Sequence, residues 1–351
     1  MAASGLALLM VFSMSAPAFA STLSDKRARA ATIQAQLDAL DTKASIADEA
    51  YNNSRDLYQS LTAQVRATEK RIAVLQKRTD ALQADLAARA DEIYRSGGTF
   101  GEIEALFSSR TFAEFNATLN ALQAIGQQDA ETVAQLKKTQ AEAQVARQEL
   151  VAAQADAATQ QTAMAANARA VHDQVAAKAA VLAGLSADIK QILDQEQARQ
   201  AAAAHARYLA LLARQRASAP QANSGGSSGG GNPASNSRGA DAVSWAEKAL
   251  GRPYVWAASG PGSFDCSGLT MWAYGHAGVS LSHSSRSQIN AGARVSRDNL
   301  EPGDLVFFGS PIHHVGMYVG GGDFIEAPHS GASVRISSLA GRGDYVGACR
   351  P

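Results

Sequence analysis

Between Leu23 and Arg216 the chain contains no proline. That stretch is rich in Ala, Gln, Glu, Lys and Arg and poor in aromatics. A proline-free run of such helix formers points to long helices, because proline in a helix interior is the strongest local breaker. A seam can be traced as Tyr58, Leu61, Val65, Thr68, Ile72, Leu75, Thr79, Leu82 and Leu86. The steps alternate between three and four over about four heptads, the spacing of a coiled coil. Thr68 and Thr79 weaken the seam, and Tyr58 is a bulky start. The stretch 127–212 is Ala-rich with a poorer seam, which predicts close antiparallel packing onto the first helix. One long single helix is the alternative.

The helical pattern breaks at Ser96-Gly97-Gly98-Thr99, a helix C-terminus signal. Ile103, Leu106, Phe107, Phe112, Phe115, Leu119 and Leu122 follow and read as a lobe of short helices near 97–125, with Ser109 and Thr111 as candidate N-caps. Such a lobe is either a partner-binding tip or a hairpin turn that buries its own apolar residues. Residues 217–239, with Ser224-Gly225-Gly226-Ser227-Ser228-Gly229-Gly230-Gly231-Asn232-Pro233, read as a flexible linker spanning roughly 25 Å on average.

The chain of 351 residues allows about two domains. Formal net charge is zero. Residues 21–220 carry 23 basic and 23 acidic side chains, and 240–351 carry 8 and 9. Without a basic stripe, nucleic acid is not an expected partner. Two cysteines do not build a disulfide scaffold. The apolar run Leu6 to Phe12, ending at Ala18-Phe19-Ala20, predicts a signal peptide over 1–20 cleaved after Ala20, hence a secreted protein. A transmembrane anchor is the alternative, for which the run is short.

From Ala240 the composition turns to Gly, Tyr, Trp and β-branched residues. Helices are expected over 242–250 and 267–276. Strands are expected at 304–308, 315–319, 324–326 and 334–336. Helices first and strands later give an α+β domain over 240–351, an antiparallel sheet packed on helices.

The chemistry concentrates in Phe264-Asp265-Cys266-Ser267-Gly268-Leu269-Thr270, His313-His314-Val315-Gly316-Met317-Tyr318 and Glu326. Cys266 at a helix start would have its thiol pKa lowered by the helix dipole and free amides. A buried structural cysteine is the plain alternative. Strand alternation sends Val315, Met317 and Val319 to one face and His314, Gly316 and Tyr318 to the other. With Gly320-Gly321-Gly322 as a three-residue hairpin loop, Glu326 falls opposite Gly316 and diagonal to His314, where its carboxylate can orient the imidazole. His313 is the rival base and points to the opposite face. The His-His pair also raises a metal reading, but no further ligands stand at site spacing, so neither metal nor cofactor is expected. Tyr254 is either a packing partner of Trp256 or a hydroxyl donor near the thiol. His283 and His329 are loop residues beside the cleft. Cys349 reads as a bystander, with a bond to Cys266 as its alternative.

Residues 240–351 resemble the NlpC-type cell-wall cysteine peptidases, a papain-like family. The likeness is carried by Pro253-Tyr254-Val255-Trp256, Phe264 to Leu269, Ser284-Ser285-Arg286-Ser287-Gln288, Pro302 to Phe308 and His314 to Gly320. It implies Cys266 as nucleophile, His314 as base and Glu326 as orienting residue. Tyr254, Asp265, Ser267 and Arg286 match positions lining the substrate site or oxyanion. Ala257-Ala258 stand where Gly-Gly is usual. The resemblance implies a D,L-endopeptidase cutting the peptidoglycan stem peptide between D-glutamate and the following diamino acid. The helical part, 21–216, resembles the regulatory coiled coils of division-associated hydrolases, which implies docking on a membrane ABC-transporter-like complex. A scaffold or adaptor with an inert peptidase domain, and an acyltransferase or amidase on the same fold, are the competing readings.

Overall fold

The computed structural model describes residues 18–218 and 233–351. The expected signal peptide before Ala18 and most of the expected linker lie outside the described residues. The described residues of the chain divide between two compact units, one comprising residues up to Asp56 together with those from Ala163 onward, the other Leu57–Thr162.

The second unit is an antiparallel helix pair. It joins the C-terminal part of α1 (Ala18–Arg95), the short α2 (Thr99–Phe107) and the N-terminal part of α3 (Phe112–Ala183). Every position of the predicted seam from Tyr58 to Leu86 is buried or half-buried, including Thr68 and Thr79. Leu75 packs with Ile72 against Ala143 and Ala146. On α3 the covered stripe runs through Thr132, Leu136, Thr139, Ala143, Ala146, Leu150 and Ala153, again by threes and fours. Small and polar residues make up this seam, which is why its heptad is faint in the sequence. Arg71 pairs with Glu149 at 3.1 Å and Arg89 with Asp129 at 3.2 Å, which fixes the antiparallel register. Half-exposed pairs of this kind contribute up to about 1 kcal/mol each.

The expected lobe of short helices is a single nine-residue helix. Phe115, Leu119 and Leu122 belong to α3 instead, which starts as soon as Thr111 caps it by accepting from Glu114 N at 3.1 Å. Nor does the turn bury its own aromatics: Tyr94, Phe100, Phe107 and Phe112 are each about four-fifths exposed.

In the other unit, α3 ends at Ala183 and α4 (Ala187–Ser218) follows. The helix α5 spans Pro233–Lys248, so the last expected linker residues are helical, with proline at the tolerated first position. Next come α6 (Cys266–His276) and α7 (Ser285–Gln288). Six antiparallel strands follow: β1 (Ala293–Val295), β2 (Leu305–Phe308), β3 (His314–Gly320), β4 (Asp323–Glu326), β5 (Arg335–Ser338) and β6 (Tyr345–Arg350), in the order β1-β6-β2-β3-β4-β5. Sequence reading missed β1 and β6. A three-residue strand carries no periodicity, and the glycine-containing β6 is a strand because β1 and β2 flank it.

Between the helices and the sheet, Phe264, Leu269, Tyr274, Leu305, Phe307, Met317 and Ile325 are fully buried. Each large apolar side chain so buried stabilises the fold by about 1.5–3 kcal/mol. Val306, Phe308, Phe324 and Ala348 fill the sheet's other face. The hairpin joining β3 and β4 has two loop residues, not three. Gly321 and Gly322 both take positive φ (66° and 83°), and the irregularity falls between Tyr318 and Gly320. The register beyond it is the expected one, Tyr318 opposite Phe324 and Met317 opposite Ile325.

Candidate active site

Cys266 is the first residue of α6 and almost fully buried. Asp265 caps the helix, its Oδ1 accepting from Gly268 N at 2.6 Å. His314 opens β3, and the backbone amide of the next residue, Val315, acts on the Cys266 thiol to lower its pKa. The helix that Cys266 opens therefore packs against the strand that His314 opens. Glu326, the last residue of β4, lies 2.7 Å from His314 Nε2 through Oε2. Its other oxygen accepts from Ser337 Oγ at 2.6 Å and from Arg335 Nε at 3.3 Å. Arg342 Nη1 reaches Oε2 at 3.4 Å. Burial would raise the Glu326 pKa, but the His314 hydrogen bond and the two guanidiniums hold it well below the usual carboxylate range. Burial pushes His314 down, against the pull of Glu326. An ionised carboxylate thus faces an imidazole that is neutral at rest. His313 turns away, its Nδ1 against the Pro311 carbonyl oxygen at 3.0 Å.

The sequence profile of the NlpC/P60 family matches residues 251–346, and that of the coiled-coil domain of the peptidoglycan hydrolase PcsB matches residues 72–146. Residues 251–346 belong to the NlpC/P60 family. The probable endopeptidase p60 of Listeria grayi is 46% identical over 103 residues, 29% of this chain and 20% of that protein. A probable endopeptidase of Mycobacterium tuberculosis is 40% identical over 101 residues, 29% of this chain and 26% of that protein. The chain thus spans about a fifth to a quarter of the length of these curated relatives. Among solved structures, the NlpC/p60 domain of the peptidoglycan hydrolase SagA aligns at 38% identity over 32% of this chain and 97% of that one, with a TM-score of 0.30. NlpC2 from Trichomonas vaginalis aligns at 35% identity over 32% of this chain and 46% of that one, with a TM-score of 0.31.

The remaining candidate site residues have the following partners. Both Asp265 oxygens lie 2.8 Å from His283 Nε2, so Asp265 and His283 form a buried pair. Ser267 is fully buried, with its hydroxyl 3.5 Å from Asp265 and its carbonyl accepting from Gln288 Nε2 at 2.9 Å. Arg286 donates its Nε to the Ile312 carbonyl at 3.0 Å. Tyr254 donates its hydroxyl to Asp48 Oδ2 at 2.5 Å, and Cys266 is among the charges that act on it. Cys349 and Cys266 are both free thiols, and Cys349 Sγ donates to the Gln288 carbonyl at 3.1 Å. Burial raises the Cys349 pKa to about 11, which leaves it inert.

Asp48 belongs to a set of α1 residues that sequence reading missed. Asn52 Nδ2 donates to Asp265 Oδ2 at 3.1 Å. The Glu49 carboxylate accepts from Ser284 Oγ (2.5 Å), Ser285 N (2.9 Å) and Arg286 N (2.9 Å). Asp56 accepts from Ser282 Oγ. Tyr51 packs edge-on against Trp256 at 4.8 Å between ring centroids, and His172 of α3 does so at 5.5 Å. Asp41 takes Lys178 Nζ at 2.7 Å, and the same ammonium donates to the Ser330 carbonyl. Residues 41, 48, 49, 52 and 56 recur at helical spacing, so one polar face of α1 lies along the peptidase cleft.

This face changes the thiol. Contrary to the helix-dipole expectation, the Cys266 pKa is raised well above its ordinary value, first by burial and then by the carboxylates of Asp265, Asp48 and Glu49. The amide at Val315 opposes the shift but does not overcome it. Burial likewise lifts Asp48, with Asp265 adding to the effect, and lifts Glu49 against its three hydrogen-bond donors. Ala257, one of the two residues where Gly-Gly is usual, takes φ +57°, a left-handed conformation that strains a residue with a Cβ. Among the described residues no group of His, Cys, Asp and Glu is arranged to hold a metal ion, and no helix is long and apolar enough to cross a membrane.

Proposed function

We propose that the chain is a secreted peptidoglycan hydrolase that cleaves the stem peptide, at the bond from D-glutamate to the diamino acid, by thiol catalysis. The observation that carries this reading is Glu326 Oε2 on His314 Nε2 (2.7 Å), at the start of the strand β3 that packs against α6, the helix Cys266 opens. With Nε2 on the carboxylate, the ring's Nδ1 is left for the thiol proton. His314 takes that proton and the sulfur attacks the stem-peptide carbonyl. The C–N bond breaks as His314 returns the proton to the leaving amine. Water, deprotonated by the same imidazole, then releases the acyl group and regenerates the thiol. Glu326 keeps the ring oriented and stabilises the transient imidazolium.

The α1 face over the cleft supports a second element: the coiled coil holds the peptidase closed until something draws α1 away. The match to the PcsB coiled-coil profile and the four exposed aromatics around α2 support docking of that tip on a membrane ABC-transporter-like complex in cell division. The test is digestion of purified wall by the full chain carrying Asp48→Asn and Glu49→Gln, with and without Cys266→Ala, and mass spectrometry of the fragments. New D-glutamyl carboxyl ends that vanish with the thiol are expected. Equal digestion by both proteins rejects the nucleophile. A transferred acyl group or a cleaved sugar–peptide amide would favour the acyltransferase or amidase reading.

A further inference from the structure

Glu326 has more partners than the histidine it orients, and the most informative shares the histidine's oxygen. Oε2 meets His314 Nε2 at 2.7 Å and Arg342 Nη1 at 3.4 Å. The guanidinium is itself fixed on three sides. Asp344 takes it as a fork, Oδ1 to Nε at 2.9 Å and Oδ2 to Nη2 at 3.0 Å. Its carbon stacks 4.0 Å from the Phe308 ring centroid, and that ring in turn lies 5.7 Å from the His314 ring. A bidentate, stacked guanidinium is a rigid object, unlike an ordinary surface arginine.

Resting on the catalytic reading above, we propose that Arg342 is a positioning residue for the reaction, pinning Glu326 Oε2 beneath the imidazole and offsetting the carboxylate's charge so that His314 stays a neutral base. An unopposed buried carboxylate would favour the imidazolium, which cannot accept the thiol proton. Arg342 pushes the His314 pKa down while Glu326 pulls it up, so the two charges bracket the ring. Asp344 is needed on the far side to hold the fork. The other charged or titratable groups around His314 are His313 and Arg335, with Asp38, Asp41 and His329 lining the same 440 Å³ cavity.

The test is side-chain NMR titration of His314 in the full chain, the resonance assigned by its loss in His314→Ala. In Arg342→Ala the His314 pKa is expected to rise by about half a unit or more. Arg342→Lys keeps the charge without the fork and should restore most of that shift. Asp344→Asn, which frees the fork, should give an intermediate value. In the Asp48→Asn, Glu49→Gln background, Arg342→Ala should lower kcat roughly tenfold with KM little changed. An unmoved titration in Arg342→Ala overturns the proposal. If that variant does not fold, an unmoved titration in Asp344→Asn overturns it equally. Hydrolysis that persists in His314→Ala would instead reject the catalytic reading, whatever the titration gives.

Discussion

The Tyr254 hydroxyl donates to the carboxylate of Asp48, a residue 206 positions earlier in the chain, at 2.5 Å. That bond joins the NlpC/P60 domain to α1 at the nucleophile, because the charges of Asp48 and Cys266 each raise the Tyr254 pKa after burial has done so. Asp48 and Glu49 thus cover the thiol and make it harder to ionise.

Removing those charges should activate the thiol. Asp48→Asn with Glu49→Gln takes away two of the three carboxylates that raise Cys266 and loosens the cover. Alkylation of Cys266 by iodoacetamide at pH 7 is expected to accelerate about tenfold or more, the equivalent of one pKa unit. An unchanged rate would mean that α1 does not gate the site.

Closure should weaken as pH rises. Asp48 and Glu49 have higher pKa values when α1 is seated than when it is free, chiefly through burial. A seated acid of this kind binds protons more tightly, so the seated state is favoured below the ordinary carboxylate pKa of about 4 and loses that advantage as pH climbs through the raised values. Asp265, Asn52, Tyr254, Arg55 and His283 complete the surrounding polar set. Trp256 fluorescence reports the change, since Tyr51 and His172 contact its ring only when α1 and α3 are in place. Asp48→Asn should flatten the dependence.

Glu326 should carry stability of the opposite sign. Its folded pKa is depressed, so the stabilisation is present above the unfolded value of about 4.3 and is lost as pH falls below it. Urea midpoints measured between pH 7 and pH 3 (roughly spanning that value) should therefore fall less in Glu326→Gln than in the wild type. In the released background the same variant should lose about 10²–10⁴-fold in kcat, the range for an orienting residue in a triad.

Gly316 should be intolerant of any side chain. A Cβ there would sit 2.4 Å from the Phe324 ring and 2.9 Å from the Ile325 carbonyl oxygen. The glycine is what lets the Phe324 ring lie against this strand. Gly316→Ala is expected to destabilise by about 1–3 kcal/mol, read from thermal unfolding, by forcing β4 from β3.

Ala257 offers the reverse test. Its φ of +57° strains an alanine, and Ala257→Gly should relieve about 1 kcal/mol of that strain, partly offset by glycine's greater entropy when unfolded. A net loss of stability on denaturation would show that the methyl group packs usefully beside Trp256.

The sequence by itself determined what depends on near neighbours. Proline-free heptads specified α1, and Thr111 fixed the start of α3. Asp265 marked the cap that puts Cys266 at a helix start, and period-two alternation put His314 and Glu326 on one face. These signals repeat every few residues, so they survive without knowledge of the rest of the chain. Only the tertiary structure decided what joins segments far apart in the chain: Asp48 on Tyr254, Glu49 on Ser284, and β6 between β1 and β2. Arg342 on Glu326 belongs with them, because sixteen positions and a second strand separate the two. The direction of the Cys266 shift was misread for the same reason. A helix start is a local property, whereas burial and the charge of carboxylates brought from α1, which raise the Cys266 pKa, are set by packing.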